Sequence, residues 1–152
     1  MIKKILVAVD GSKPSDKALD FALDLAERYS ASIVLLSAVP PLIVPSVPYP
    51  ATGMPSVPPL AMDSYSRELT ASHERVLSEA LRKVKKIKPD IKVSTKLVQG
   101  RPSDKIVETA KEGEFDIIVI GSEGLGGIKK FLLGSVSDRV ADEATCPVLI
   151  VK

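Results

Sequence analysis

Two short stretches, far apart in the chain, carry the residue types best suited to hold an anion beside a sugar. The first is Asp10-Gly11-Ser12. The second begins Gly121-Ser122-Glu123-Gly124 and resumes after nine intervening residues as Gly134-Ser135-Val136-Ser137, so the spacing reads Gly-x2-Gly-x9-Gly-Ser. Glycines at a strand end let backbone N–H groups approach an anion closely, because no Cβ intervenes and positive φ costs little. A helix opening at Gly134-Ser135 adds its unsatisfied N–H groups and the positive end of its dipole, with the hydroxyls of Ser135 and Ser137 as further donors. The pattern is a phosphate cradle in two pieces. It is not a P-loop, since Gly-x4-Gly-Lys-Ser/Thr is absent, and no Gly-x-Gly-x-x-Gly occurs. The competing reading makes Gly121 to Gly127 a loose turn and Ser135 an N-cap. Asp10 also has two readings, a cap of the following turn or a partner for a sugar hydroxyl at a strand end.

Other chemistries lack raw material. Cys146 is the single cysteine and His73 the single histidine, which leaves no Cys/His zinc cage, disulfide framework or Cys-His pair at useful spacing. A Ser-His-Asp triad would have to use His73, which falls in a helical pattern with Leu69, Val76 and Leu77 and reads as a structural or solvent-edge histidine. No His, Cys or Lys accompanies the cradle as an evident base or nucleophile. The chain is therefore not expected to be a fast enzyme, and any hydrolysis should be slow and metal dependent.

The elements that must position these residues follow from hydrophobic periodicity. Ile5 to Val9 reads as a strand buried on both faces, followed by a helix capped at Ser12 or Ser15 with Pro14 in its first turn and Ala18, Leu19, Ala22, Leu23, Leu25 and Ala26 as its inner stripe. Ile33 to Val39 is a second buried strand. A Pro-rich loop covers about residues 40–61, and a long helix runs from about Asp63 to Lys88, where Pro89 stops it. Ile91, Val93, Thr95 and Leu97 alternate as a strand, Pro102 to Lys111 is a helix, Phe115 to Ile120 a strand, Ser135 to Ala144 a helix and Pro147 to Val151 the last strand. Strands alternating with helices predict a single α/β domain over residues 1–152, a doubly wound parallel sheet with helices on both faces. Ligands of such folds bind at the carboxyl ends of strands where the winding reverses, which singles out the turns after strands one and four.

Composition narrows the partners. Lys and Arg number 21 against 19 Asp and Glu, and aromatic residues make up 4% with no Trp, so neither a polybasic field nor a base-stacking platform for nucleic acid is present. Lys3, Lys4 and the lysines between 83 and 88 read as structural or solubilising. The stretch from Tyr29 to Met62 has no charge, but its eight prolines forbid a membrane helix. The apolar run Ile5 to Val9 is too short for a signal peptide, so a cytoplasmic location is expected. Val148 to Val151 forms an apolar edge strand, and such edges invite pairing with a second copy.

The chain resembles the universal stress protein family, specifically its nucleotide-binding branch. The resemblance rests on Lys4 to Ser12, on Gly100-Arg101-Pro102, on the Gly-x2-Gly-x9-Gly-Ser pattern and on the ending Cys-Pro-Val-Leu-Ile-Val. It implies a five-stranded parallel sheet, ATP or another adenine nucleotide as ligand with Mg²⁺ or Mn²⁺, a homodimer joined through residues 148–151, and a regulatory role in stress adaptation. It also implies residue roles: Asp10 on the ribose, Val9 lining the pocket, the backbone of Ala38 or Val39 on the adenine edge, Gly121, Ser122 and Gly124 beside ribose and phosphates, and Gly134, Ser135, Val136 and Ser137 around the phosphate tail. The family's pattern commonly holds basic residues or histidine where this chain has Glu123 and Leu125. A carboxylate repels a phosphate tail unless a divalent cation lies between them. Lys129 and Lys130 offer compensation, or Glu123 faces solvent, the expectation for an exposed loop carboxylate. Two alternatives stay open: a weak metal-dependent ATPase with Glu123 or Asp10 holding Mg²⁺, and a nucleotide-free dimeric scaffold or chaperone-like protein.

Overall fold

The computed structural model describes residues 1–42, 59–124 and 133–152. Among the described residues nine elements alternate: β1 (Lys4–Ala8), α1 (Lys13–Tyr29), β2 (Ser32–Val39), α2 (Pro59–Ile87), β3 (Val93–Gln99), α3 (Pro102–Glu112), β4 (Ile117–Gly121), α4 (Ser135–Glu143) and β5 (Val148–Val151). The five strands form one parallel sheet in the order β3-β2-β1-β4-β5. This is the doubly wound sheet that the strand–helix alternation predicts.

Period-two burial decides what each face packs against. Ile5, Val7, Ile33, Leu35 and Val119 point to one side and pack with α1 and α2 through Leu19, Leu77 and Val84. Their neighbours Leu6, Leu36, Ile118 and Ile120 point to the other side and pack with Ile106 of α3 and Val140 of α4. Central strands buried on both faces are why β1, β2 and β4 read as unbroken aliphatic runs, whereas β3, at an edge, leaves Ser94, Thr95, Lys96 and Gln99 exposed and Val93, Leu97 and Val98 half-buried. The lysines of the sheet's lower end are structural anchors. Asp116 accepts the backbone N–H groups of Lys3 and Lys4 at 2.7 and 2.9 Å, and Lys83 ties α2 to Asp16 and Asp20 of α1.

One boundary differs from expectation. The Pro-rich loop at about 40–61 gives way to helix already at Pro59, because proline's fixed φ suits a first helical turn and Leu60-Ala61-Met62 are good helix formers. The rest of that stretch, residues 43–58, lies outside the described residues, as do Leu125, Gly127, Lys129 and Lys130. Among the described residues no helix is long and apolar enough to cross a membrane. Winding reverses between β1 and β4: the connections after β1 and β2 lie on one face, those after β3 and β4 on the other. The ends of these two strands therefore border an open crevice.

Candidate functional site

Asp10 is set by the turn that ends β1. Pairing with β2 continues one residue past the strand, Val9 N–H donating to the Leu36 carbonyl at 2.9 Å. The chain then turns through Gly11 at φ +83°, a left-handed conformation that favours glycine. Ser12 N–H donates to Asp10 Oδ1 at 2.9 Å, and Ser12 Oγ caps α1 by accepting from Ser15 N–H at 3.2 Å. Asp10 thus does stabilise its own turn, but with one oxygen only. Its other oxygen, Oδ2, faces Gly124, where an added Cβ would come within 2.9 Å.

The second half of the site is built by β4 and α4. Gly121 sits so close to the start of α1 that a Cβ would lie 2.7 Å from backbone atoms of both Pro14 and Ser15, which brings the two functional loops together. The Ser122 carbonyl then accepts two hydrogen bonds, from Gly134 N–H and from Ser137 Oγ, both at 2.7 Å. These bonds lash the glycine loop to the N-terminus of α4. The Ser137 hydroxyl, expected among the anion donors, is buried and turned inward to this carbonyl.

What α4 presents instead is backbone. Its first intrahelical bond runs from Asp138 N–H to the Gly134 carbonyl, and Gly134 as N-cap has no side chain to turn back. The N–H groups of Ser135, Val136 and Ser137 therefore have no hydrogen-bond partner among the described residues. Three consecutive donors at the positive end of a helix dipole are an anion site in form. The contrast with α1, whose first turn is closed by Ser12, shows which of the two helix starts is open to a ligand.

These pieces line one cleft of about 690 Å³ at the carboxyl ends of the strands, a volume within the range of small-molecule sites. Val9, Asp10, Ala38, Gly121 and Gly124 form part of its wall, and Gly134, Ser135, Val136 and Ser137 another part. Ser122 and Val39 stand behind the wall, the former as the acceptor just described. Parity along β2 explains the difference between Ala38 and Val39. The Val39 carbonyl accepts from Gly100 N–H on the β3 side, whereas Leu36 faces β1. In a parallel ladder residues alternate sides, so the N–H and C=O of Ala38 face β1 beyond its last pairing residue and are open to the cleft.

Two further residues border the cleft. Glu123 is half-buried and lines it, with Gly134 packed close to its Cα. His73, read as structural or solvent-edge, is brought to the same cleft by α2, with Nδ1 hydrogen-bonded at 2.8 Å to the buried Oγ of Ser37. Burial lowers its pKa below 6.5, with the Asp10 carboxylate pulling in the opposite direction. The apolar wall also includes Leu69, Pro102 and Ile106. Their helical spacing signals a buried face but not which buried residues border a cavity.

Among the described residues no group of three or more His, Cys, Asp and Glu comes together to hold a metal ion. Glu123 in the cleft fits the other usual arrangement for Mg²⁺ or Mn²⁺, one carboxylate with phosphate oxygens and water completing the shell. The cation would then offset the repulsion between Glu123 and a phosphate tail.

Known proteins similar to this chain over its whole length are consistent in kind. Universal stress protein YxiE of Bacillus subtilis is 37% identical over 152 residues, spanning the whole of both chains. Among solved structures, universal stress protein UspA from Lactobacillus plantarum superposes with a TM-score of 0.77 at 25% identity, over 99% of this chain and 98% of that one. A universal stress protein crystallised in complex with cAMP superposes at 0.70 with 28% identity, over 99% and 97% of the two chains. The sequence profile of the universal stress protein family matches residues 1–152. With the family matched along the whole sequence and a relative 37% identical over the full length of both chains, this chain belongs to the universal stress protein family.

Proposed function

We propose that the cleft binds an adenine nucleotide, ATP together with Mg²⁺ or Mn²⁺, and that occupancy regulates the protein's association with partners in a cytoplasmic stress response. The observation that carries this reading is the row of three uncapped N–H groups at Ser135, Val136 and Ser137 on the same cleft as the free Asp10 oxygen. A phosphate chain satisfies the first and a ribose hydroxyl the second. The open N–H and C=O of Ala38 offer a backbone donor and acceptor to the adenine edge, and Gly121 and Gly124 admit the ligand past the β4 turn. The related structure holding cAMP supports an adenine ligand. The test is to denature freshly purified protein, identify released small molecules by mass spectrometry, and titrate the emptied protein with Mg-ATP. Stoichiometric adenine nucleotide or saturable binding is expected. No binding at millimolar Mg-ATP would leave the cradle a turn and favour the dimeric scaffold.

Glu123 in the cleft favours a second reading, slow metal-dependent ATP hydrolysis. Steady phosphate release that disappears in Glu123→Gln supports it. Turnover above about one per second, the low end of ordinary enzymes, would contradict the regulatory reading instead.

The edge position of β5, with Val148, Leu149 and Ile150 only half-buried, supports a homodimer in which two copies of this strand pair antiparallel across a twofold axis. Light scattering at micromolar concentration should return twice the chain mass, and Leu149→Lys the monomer. A wild-type monomer refutes the pairing.

A further inference from the structure

The two ends of the cleft differ in chemistry. Toward β4 and α4 it is lined by glycines and open N–H groups. Toward β2 its walls are apolar, with Ala38 and Pro40 below, Leu69 of α2 on one side and Pro102 and Ile106 of α3 on the other. Among the described residues, the one side chain at this apolar end with a hydrogen-bonding group is His73. β2 lies two strands from β4, and with adjacent strands ~4.8 Å apart the apolar end and the phosphate end are separated by roughly 10 Å along the sheet. That separation is comparable to the span from phosphate to base in a nucleotide. An apolar recess with one polar group on its wall is the form of a base pocket.

The ring is held for such a contact. Ser37 is 1% exposed, its side chain faces α2 from within β2, and its Oγ engages His73 Nδ1 at 2.8 Å. This bond fixes the ring plane and turns Nε2 the other way. Among the described residues Nε2 has no partner, and no side-chain polar atom among them is both buried and unpaired, so Nε2 is accessible, on a residue that lines the cleft. The pair is not a nucleophile and its base. Ser37 does not line the cleft and its hydroxyl is shut inside the β2–α2 contact, out of reach of any substrate.

We propose that His73 is a base-contacting specificity residue of the nucleotide site, with Nε2 hydrogen-bonded to the edge of the purine ring and Ser37 as its positioning residue. The inference rests on the nucleotide reading above and deepens it: the backbone of Ala38 and the side chain of His73 read the base, while Asp10 and the α4 N–H groups hold sugar and phosphates. Among the described residues the charged groups sharing the cleft with His73 are Asp10, from the end of β1, and Glu123, from the end of β4.

The test compares ATP with inorganic tripolyphosphate, which carries the phosphates but no base, by calorimetric titration in the presence of Mg²⁺. His73→Leu should weaken ATP binding about three- to tenfold, the worth of one neutral hydrogen bond, and leave tripolyphosphate affinity unchanged. His73→Gln, which keeps a polar end, should recover part of the loss and guards against a variant that fails to fold. Ser37→Ala should show a smaller, equally ATP-selective loss. Unchanged ATP affinity in both His73 variants overturns the inference alone and leaves the nucleotide site standing. Equal losses for ATP and tripolyphosphate, or a larger loss in Ser37→Ala than in His73→Leu, assign the effect to packing or charge and also overturn it. Wild-type protein that binds neither ligand overturns both readings together.

Discussion

Gly121 and Gly124 stand three residues apart in one motif, yet the structure predicts that alanine at each fails in a different way. At Gly121 the new Cβ meets backbone atoms of Pro14 and Ser15 at 2.7 Å. Neither can rotate aside. To restore ordinary contact at 3.4 Å the start of α1 must retreat by roughly 0.7 Å from β4, against a core in which Leu19 and Val119 are already close-packed. Overpacking of this kind costs about 1–3 kcal/mol, and in a chain of this size that lowers Tm by roughly 2–12 °C. At Gly124 the obstacle is the tip of one side chain, Asp10 Oδ2, at 2.9 Å. Asp10 can swing away, but its carboxylate leaves the position it takes by accepting from Ser12 N–H. Stability should fall by about 1 kcal/mol or less, the worth of that bond. The ligand loses a hydrogen bond to a charged group, about 1.5–3 kcal/mol, or at least tenfold in affinity. Urea unfolding and calorimetric titration of Mg-ATP on both variants separate the two effects. Gly124→Ala binding as tightly as wild type would refute the placement of Asp10 on the sugar. Gly121→Ala with undiminished stability would refute the argument that this glycine exists for the approach of α1.

Three further outcomes are expected. Ser137→Ala leaves the Ser122 carbonyl with the Gly134 N–H alone, so it should cost about 0.5–1.5 kcal/mol of stability and also loosen the cradle, weakening ATP; a change in affinity with no change in unfolding would mean the hydroxyl serves the ligand directly. Glu123→Gln removes a negative charge beside the phosphates, which should strengthen metal-free ATP binding by roughly 1 kcal/mol, about fivefold, and reduce the dependence on Mg²⁺; weaker binding with Mg²⁺ alone would assign the carboxylate to the cation. Because burial lowers the pKa of His73 in the folded chain, the unfolded chain binds more protons just below pH 6.5, so stability present above that pH should decline as pH falls below it. His73→Gln should flatten this part of the profile, and an unchanged slope would refute the assignment. The decline belonging to Asp116, whose carboxyl is held low by the N–H groups of Lys3 and Lys4, sets in only as pH falls below its ordinary value of 3.8.

What could be read from the sequence was local, and what could not depended on the third dimension. The α/β alternation is legible because strands buried on both faces, such as Ile5 to Val9, carry an unbroken aliphatic run that helices do not. The cradle is legible because its parts lie within 15 residues of one another, Gly121 to Ser135, in an order that only a strand, a turn and a helix start can use. The start of α2 was misplaced because proline signals both a loop and a first helical turn, and only the backbone decides between them. His73 marks the limit of periodicity. Its spacing with Leu69 and Leu77 places it on the inner side of α2, but whether that side meets a sheet or a cavity depends on where β1 ends relative to β2. β1 stops pairing at Val9 while β2 continues to Val39. That offset opens the space under α2, leaves the Ala38 backbone unpaired toward β1, and lets a residue 36 positions from Ser37 stand beside it on the wall of the cleft. Ser137 marks a second limit: its place at a helix start is that of a ligand donor, yet the β4 turn passes close enough to α4 for its hydroxyl to donate to the Ser122 carbonyl and fasten the two halves of the site, and the task of meeting an anion passes to the backbone.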